Sequence, residues 1–419
     1  MTLAEFASNY FWCWAIVFLM LIVVTALFAR WLARPRLVPS LDEPWPKAAI
    51  LVPLRGADGQ LSETFRKLLA QDYPDFEVRV VVDSPTDPAI EVAQPFAERD
   101  PRFHVTSIRR KLSTCSPQCS ALKQAAGDLS HDIDVVVTID GDVQTHPTWL
   151  RELVAPLRDP RVGASFGNRW FLPPDAGWGS MVRYLWIAAS IMPMAFLRFP
   201  WGGTFAIRRQ TLFDCGLFYL WSTIMAHDAP ATDLLRNIGL KTRFVPSLMM
   251  VNRERCGMRF CKEFIKRQLT WTRFYNGSFW PVTLTAILLS GLWIFWAALL
   301  ATAILRGDFP AIGWLVALVL LNGVMLSAAC FALELAVRSI VRRRGLSALR
   351  YTPSFALRLP IAVLVAQFVH LAAISESILR RTVTWRGVTY HFDDPRNVRI
   401  IADDTAAVRL AQAEADISL

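Results

Sequence analysis

Two carboxylates two residues apart, Asp140 and Asp142, follow directly on Val135-Val136-Val137-Thr138-Ile139, a run rich in β-branched residues that predicts a buried strand. With Gly141 permitting a tight turn between them, the pair can hold a hard divalent cation, Mg²⁺ or Mn²⁺, through oxygen ligands and set it against a diphosphate. A solvated acidic turn is the competing account of the same residues. Asp83 closes a second apolar run, residues 76–82, where an acid can hydrogen-bond a ribose or base. Within Asp83-Ser84-Pro85-Thr86-Asp87-Pro88 it can equally build an Asx turn. Asp228 precedes a helical stretch, 231–238, closed by Gly239. There a carboxylate either caps the helix or serves as general base toward an attacking hydroxyl. Cys115/Cys119 and Cys256/Cys261 lack the spacing of a zinc finger or ribbon, so no zinc is expected.

The elements that must position these acids alternate along residues 45–280. Apolar runs at 48–54, 76–82, 103–105 and 134–140 are separated by helical stretches at 61–70 and 119–126. That alternation predicts an α/β fold with a mixed, mostly parallel sheet and helices on both faces. Ligands of such sheets bind beyond the carboxyl ends of the strands. Asp83, Asp140 and Asp142 stand at those ends.

The remainder of the 419 residues is dominated by apolar blocks near the two ends; 53% of the chain is hydrophobic and sixteen residues are Trp. Residues 10–29 carry no charge, have no Lys or Arg before them, and are followed by Arg30, Arg34 and Arg36. This predicts an uncleaved spanning anchor with the N-terminus outside and the following chain in the cytosol. Residues 281–305 and 310–333, joined by Arg306-Gly307-Asp308-Phe309, predict a spanning hairpin that returns to Arg338, Arg342, Arg343, Arg344 and Arg350. Residues 359–374 are interrupted by Gln367 and His370 and run into Glu376, so they are read as an interfacial or re-entrant helix. Residues 184–197 are too short to span. The expected organisation is an anchor (1–33), a cytosolic catalytic domain (34–280), a transmembrane hairpin (281–337), and a basic cytosolic segment with interfacial helix and tail (338–419). The net charge of +10 clusters beside the membrane segments, which points to the lipid bilayer and its anionic headgroups and away from nucleic acid. Seven irregularly spaced cysteines read as reduced thiols. Residues 258–274 set Arg259, Lys262, Lys266, Arg267 and Arg273 among Phe260, Phe264, Trp271 and Phe274. This is the pattern of a helix lying on a membrane surface, whose cations could also neutralise a diphosphate.

Several segments carry a family resemblance: Val52-Pro53-Leu54-Arg55-Gly56-Ala57-Asp58, then Gln71-Asp72-Tyr73-Pro74-Asp75-Phe76-Glu77-Val78, the Asp83 segment, and Asp140-Gly141-Asp142-Val143. Gly202-Gly203-Thr204-Phe205, Asp228 eleven residues before Gly239, Arg267-Gln268-Leu269-Thr270-Trp271, and Thr384-Trp385-Arg386-Gly387 with Tyr390 complete the series. In this order they resemble the inverting glycosyltransferases of GT-A fold, within them the ceramide glucosyltransferase-like membrane enzymes. The resemblance implies transfer of a hexose from a UDP-sugar, UDP-glucose or a relative, to the hydroxyl of a ceramide-like or other membrane lipid, in a bacterial inner membrane. Arg55 and Asp83 would contact the nucleotide, and Asp140 and Asp142 would hold Mg²⁺ or Mn²⁺ with Asp140 also beside the donor. Asp228 would be the base. Arg267, Trp271 and Arg273 would close over the sugar-diphosphate, supported by Gly203 and Gln268. Three positions depart from the family pattern: His227 replaces a Glu, Thr270 an Arg and Gln118 a Lys. Arg273, one turn beyond Thr270, is expected to supply the missing cation, so that its loss matters more than loss of Arg259. The alternatives are glycosylation of a polyprenyl phosphate or polysaccharide, and a non-catalytic nucleotide-sugar-binding scaffold.

Overall fold

The protein is described by a computed structural model covering residues 1–277, 279–346 and 352–404; Arg350 and residues 405–419 of the expected basic segment and tail lie outside the described residues. Helix α1 (Leu3–Ala33) leads into β1 (Ala48–Leu54), α2 (Leu61–Leu69), β2 (Phe76–Val82), α3 (Ala89–Arg99), β3 (Phe103–Ser107), α4 (Pro117–Gly127) and β4 (Val135–Ile139). The domain continues through α5 (Trp149–Val154), β5 (Val162–Phe171), α6 (Trp178–Leu197), β6 (Thr204–Arg208), α7 (Arg209–Asp214), α8 (Leu217–Leu220), α9 (Ala231–Asn237) and β7 (Lys241–Asn252). Then come α10 (Met258–Tyr275), α11 (Phe279–Leu305), α12 (Phe309–Arg343), α13 (Pro353–Leu379), and β8 (Thr382–Trp385), β9 (Val388–Asp394) and β10 (Asn397–Asp403).

Because successive side chains of a strand point to opposite faces, β1 sends Ala48, Ile50 and Val52 into one core and Ala49 and Leu51 into another. The first core is closed by Leu61, Phe65 and Leu68 of α2 and by Trp149, Leu150 and Leu153 of α5. The second takes in Cys119 and Leu122 of α4 and runs on without a break into Val337 and Ile340 of α12 and Ala362 of α13. Burial on both faces accounts for the near-continuous apolar strands, and the expected α/β class holds.

The seven strands lie in the order β3-β2-β1-β4-β6-β5-β7. β1 pairs in parallel with both β2 and β4, so strand order reverses beside β1 and opens a crevice beyond its carboxyl end. β6 runs antiparallel to β4 and β5, and its first residue Thr204 sits opposite Ile139, the last of β4. Gly202 and Gly203, just before β6, are thereby brought to the rim where β4 ends.

Five of the described helices are long and apolar enough to cross a membrane: α1, α6, α11, α12 and α13. α1 and α12 run side by side. Ala7 packs with Ala303, Ala311 and Leu315 at one end, and at the other the Arg343 guanidinium donates to the Ala33 carbonyl at 2.7 Å. Three expectations change. α12 continues ten residues past 333, and α6 spans 20 residues. α13 reaches 27 residues instead of sixteen, because Thr352 caps its start and Pro353 fits the first helical turn. Both ends of α13 nevertheless touch the α/β domain or α10, which follows it: Arg358 donates to the Ala176 carbonyl at 3.1 Å, and Glu376 pairs with Lys262 and Lys266 of α10. Within the C-terminal segment, β8, β9 and β10 form an antiparallel sheet that folds back on the domain, with the Ile400 amide donating to the Ser113 carbonyl at 2.9 Å.

Polar contacts at the domain end of α12 lock it to the sheet. Glu334 is fully buried and accepts from Trp170 Nε1 at 2.8 Å and from Arg338 Nε at 2.6 Å. Removing the acceptor strands both donors, so Glu334→Ala is expected to cost on the order of 3 kcal/mol in detergent-solubilised unfolding, and Glu334→Gln distinctly less. Nearby, Arg344 pairs with Glu152 at 2.6 Å above His146, whose imidazole is 2% exposed and is pushed down to about 3 by burial and by the Arg344 charge. The unfolded chain takes up that proton near pH 6.5 and the folded chain only near 3, so stability falls as pH drops through this window. Melting temperature against pH should therefore show a shallower acid limb in His146→Asn than in the wild type.

Candidate active site

Each acid expected at the rim sits on the end of an element that places it. Asp140 follows β4 directly, and Asp142 lies two residues on in the following turn. Their carboxylates are partly open, at 28% and 20% exposure. One guanidinium nitrogen of Arg169 bridges them, 3.1 Å from Asp140 Oδ2 and 3.0 Å from Asp142 Oδ1. Gln118, standing where the family pattern has Lys, donates to Asp140 Oδ1 at 3.3 Å. Burial pushes the Asp140 carboxyl up, opposed by Arg169 and reinforced by Asp142. Burial alone would lower Arg169; the two carboxylates outweigh it and hold the guanidinium above its ordinary value.

Asp228 does not cap α9, whose N-terminus has no side-chain cap. Its carboxylate instead accepts the Gly202 amide. A Cβ at Gly202 would come within 3.0 Å of the Asp228 carboxyl carbon, and one at Gly203 within 2.6 Å of Asp140 Oδ2. The two glycines are thus the shared floor between the acid pair and Asp228, where a side chain would collide with the His227 or Trp201 ring as well as with the acids. His227 packs beneath this floor. Its Nε2 lies 3.2 Å from the Thr138 hydroxyl, which donates to the Gly202 carbonyl at 2.8 Å. The imidazole therefore supports the backbone under Asp228.

Asp83 closes β2 and is not the turn builder. That part falls to Asp87, which accepts from the amides of Gly56 and Ala89. Asp83 Oδ2 takes Arg55 at 2.7 Å and Lys111 at 2.8 Å, while Oδ1 is buried without a hydrogen-bond partner. An orphaned acceptor of this kind is costly unless a ligand donor meets it. Arg55 and Lys111 also pair with Asp403 at the end of β10, and Arg386 donates to the Arg55 carbonyl at 2.9 Å.

A cationic, aromatic wall faces the acids. Arg267 lies among the rings of Phe264, Trp271 and Trp385, each 5.3–5.6 Å from its guanidinium carbon. Among the described residues no carboxylate comes within ion-pair distance of it, and its Nε is buried without a partner, as is Trp271 Nε1. Burial, then the nearby charges of Arg386, Arg169 and Arg380, bring Arg267 down to about 9. A guanidinium with no ion-paired carboxylate, surrounded by three others and offset only by the more distant charge of Glu263, is suited to a polyanion. Gln268 is half-buried on the same helix, its carbonyl accepting the Thr272 hydroxyl at 2.9 Å.

Arg273 does not join this wall. It lies over Phe274 at 4.2 Å and donates to the carbonyls of Ser377, Ile378 and Arg380 at the end of α13. Last-turn carbonyls of a helix lack internal partners and attract such a donor. The expected compensation for Thr270 is not what the geometry offers; the cations that act on Arg267 are Arg386, Arg169 and Arg380. Arg169, Lys111 and Asp403 escaped the reading of the sequence, although a lone charge in the otherwise uncharged strand Val162–Phe171 was a usable signal for the first.

A divalent cation fits the acid pair by donor chemistry. Asp140 and Asp142 offer hard oxygens, and among the described residues no third His, Cys, Asp or Glu completes a protein-only site, leaving positions for diphosphate oxygens and water.

The sequence model described as glycosyl transferase family 21 matches residues 11–398. The N-acetylglucosaminyltransferase of Rhizobium meliloti (strain 1021) is 28% identical over 265 residues, 59% of this chain and 60% of that protein. The chain thus spans less than two thirds of that relative. Hyaluronan synthase of Streptococcus pyogenes is 31% identical over 125 residues, 29% of either chain. Among solved structures, a mannosyltransferase from Pyrobaculum calidifontis in complex with GDP-Man and Mn²⁺ aligns with a TM-score of 0.46 and 18% identity, covering 90% of this chain and 99% of that one.

Arg267 and Arg273, both on α10, should separate cleanly. Arg267→Ala is expected to weaken binding of a nucleoside diphosphate by about tenfold or more with little change in melting temperature, because it removes a charge-assisted donor. Arg273→Ala should lower the melting temperature and leave that affinity within about twofold. Equilibrium binding of UDP alongside thermal unfolding measures both.

Proposed function

The chain belongs to glycosyl transferase family 21, and we propose that it moves a hexose from a UDP-sugar to the hydroxyl of a membrane lipid of ceramide type, with inversion at the anomeric carbon. The observation that carries this reading is the convergence of Asp140, Asp142 and Asp228 on the Gly202–Gly203 floor, opposite the uncompensated Arg267.

In this reading Asp83 Oδ1 accepts a donor of the nucleotide, and Arg55 and Lys111 flank it. Mg²⁺ or Mn²⁺ held by Asp140 and Asp142 would supply a Lewis acid that neutralises charge on the departing diphosphate. Asp228 takes the proton of the acceptor hydroxyl as that oxygen bonds to the anomeric carbon and the bond from that carbon to the diphosphate breaks on the opposite face. Arg267 contributes where charge develops, which is where stabilisation accelerates the step. Trp271 and Trp385, 5.9 Å apart, exclude water from the sugar.

The lipid acceptor is supported by where the site opens. Its wall, α10, leads within a few residues into α11, whose apolar stretch is almost wholly exposed along its length. α1 and α12 both enter the domain through arginine-rich ends, the arrangement that puts the domain in the cytosol, here at a bacterial inner membrane. α13, tied to the domain at both ends, then lies in the interface, as does α6, half of whose apolar window is buried. A second reading, N-acetylglucosamine as the sugar and a growing saccharide as the acceptor, draws on the names of the rhizobial and streptococcal relatives.

Purified protein with Mn²⁺, a panel of UDP-sugars and either ceramide or chitin oligosaccharides should release UDP in a lipid-dependent way, with a β-linked product from an α-linked donor. Asp228→Asn should lower release by about 10³-fold with UDP affinity kept within a few-fold. Release that depends on saccharide selects the second reading, and UDP binding without turnover of any donor rejects both.

A further inference from the structure

We propose that Arg169 is the resident counter-cation of the Asp140–Asp142 pair: a divalent metal displaces it, and the freed guanidinium becomes a donor to the diphosphate that arrives with the metal. The inference rests on the preceding reading of the two acids as metal ligands and assigns a part to a residue that the sequence motifs leave out.

Three observations support it. First, Arg169 holds the oxygens a metal would need, Asp140 Oδ2 and Asp142 Oδ1, with a single nitrogen. A cation bonded to those oxygens and a guanidinium about 3 Å away would repel one another strongly at this short range. The two cations compete for the same pair of oxygens, and sharing them carries that repulsion in full. Second, Arg169 has a place to stay when it lets go. Its guanidinium carbon lies 4.8 Å over the Trp201 ring and 5.7 Å from that of Phe171, so the aromatic shelf keeps the cation beside the site. Third, the exchange puts each charge beside an opposite one. Two carboxylates against one guanidinium leave one negative charge. With a divalent metal the carboxylates are neutralised, and the two negative charges of a nucleotide sugar then meet Arg169 and Arg267, which has no carboxylate partner among the described residues.

The exchange makes metal and nucleotide bind as a linked pair. Metal alone must expel Arg169 onto its aromatic shelf with no anion to replace the carboxylates, so it binds weakly; metal with diphosphate gives Arg169 an anion in return. Mn²⁺ binding to the full-length protein in nanodiscs, followed by the electron paramagnetic resonance of free Mn²⁺ with and without UDP, reads this directly. In the wild type UDP should tighten Mn²⁺ binding by about tenfold or more. In Arg169→Met, Mn²⁺ alone should bind about tenfold tighter than in the wild type, and the UDP effect should shrink to about twofold. Arg169→Lys, which keeps the charge but loses the fork, should bind Mn²⁺ alone as weakly as the wild type and show a reduced UDP effect. It serves as the decisive variant should the methionine protein fail to fold. Mn²⁺ binding that is unchanged or weaker in Arg169→Met, or an undiminished UDP effect in Arg169→Lys, overturns the proposal. An Asp142→Asn protein that binds Mn²⁺ as the wild type does overturns instead the reading of the acids as metal ligands on which it rests.

Discussion

The antiparallel pairing of β4 with β6 is the constraint from which the candidate site follows. With Ile139 opposite Thr204, the end of one strand and the start of the other share a rim, so the turn bearing Asp140 and Asp142 meets the turn bearing Gly202 and Gly203. Had β6 run parallel to β4, those glycines would lie at the opposite edge of the sheet. The glycines then admit Asp228, which is anchored by the Gly202 amide. β5, antiparallel to β6, carries Arg169 back to the same rim, beyond the pairing of Phe166 with Phe205.

Acids gathered so closely repel one another, and the protein answers with arginines. Arg169 bridges the pair, and Arg55 and Lys111 neutralise Asp83. Arg267 and Arg386 lie across the cleft, and Arg267 is left without a carboxylate among the described residues. Excess positive charge that is only partly hydrated lacks a counter-ion of its own and is suited to a ligand bringing phosphate. The departures from the family pattern are absorbed in this network. Gln118 reaches Asp140 as a neutral donor, and His227 braces the glycine floor through Thr138.

The long apolar helices and the C-terminal sheet are parts of the same construction. One hydrophobic core passes from the β-sheet into α12 and α13, with the Glu334–Trp170 bond at the junction. Arg273 clasps the end of α13 and so sets the start of β8, whose hairpin brings Trp385 and Arg386 over the site, with Arg386 and Gly387 both at positive φ. A left-handed turn of this kind tightens the hairpin and aims both side chains.

The sequence by itself determined what depends on neighbours along the chain. Apolar alternation and helical spacing disclosed the α/β class, and strand-end acids disclosed Asp83, Asp140 and Asp142, because backbone periodicity and turn chemistry are local. The length of the apolar blocks was less legible, since Thr352 and Pro353 start α13 well before its uncharged stretch begins. Tertiary structure alone decided which charges meet. Arg169 lies 27 residues beyond Asp142, and Asp403 lies 348 residues beyond Arg55. Helical spacing put Arg273 on the face of Thr270, but a long flexible side chain goes to the best acceptor within reach, and those acceptors, the open carbonyls of α13, exist only once distant helices have packed.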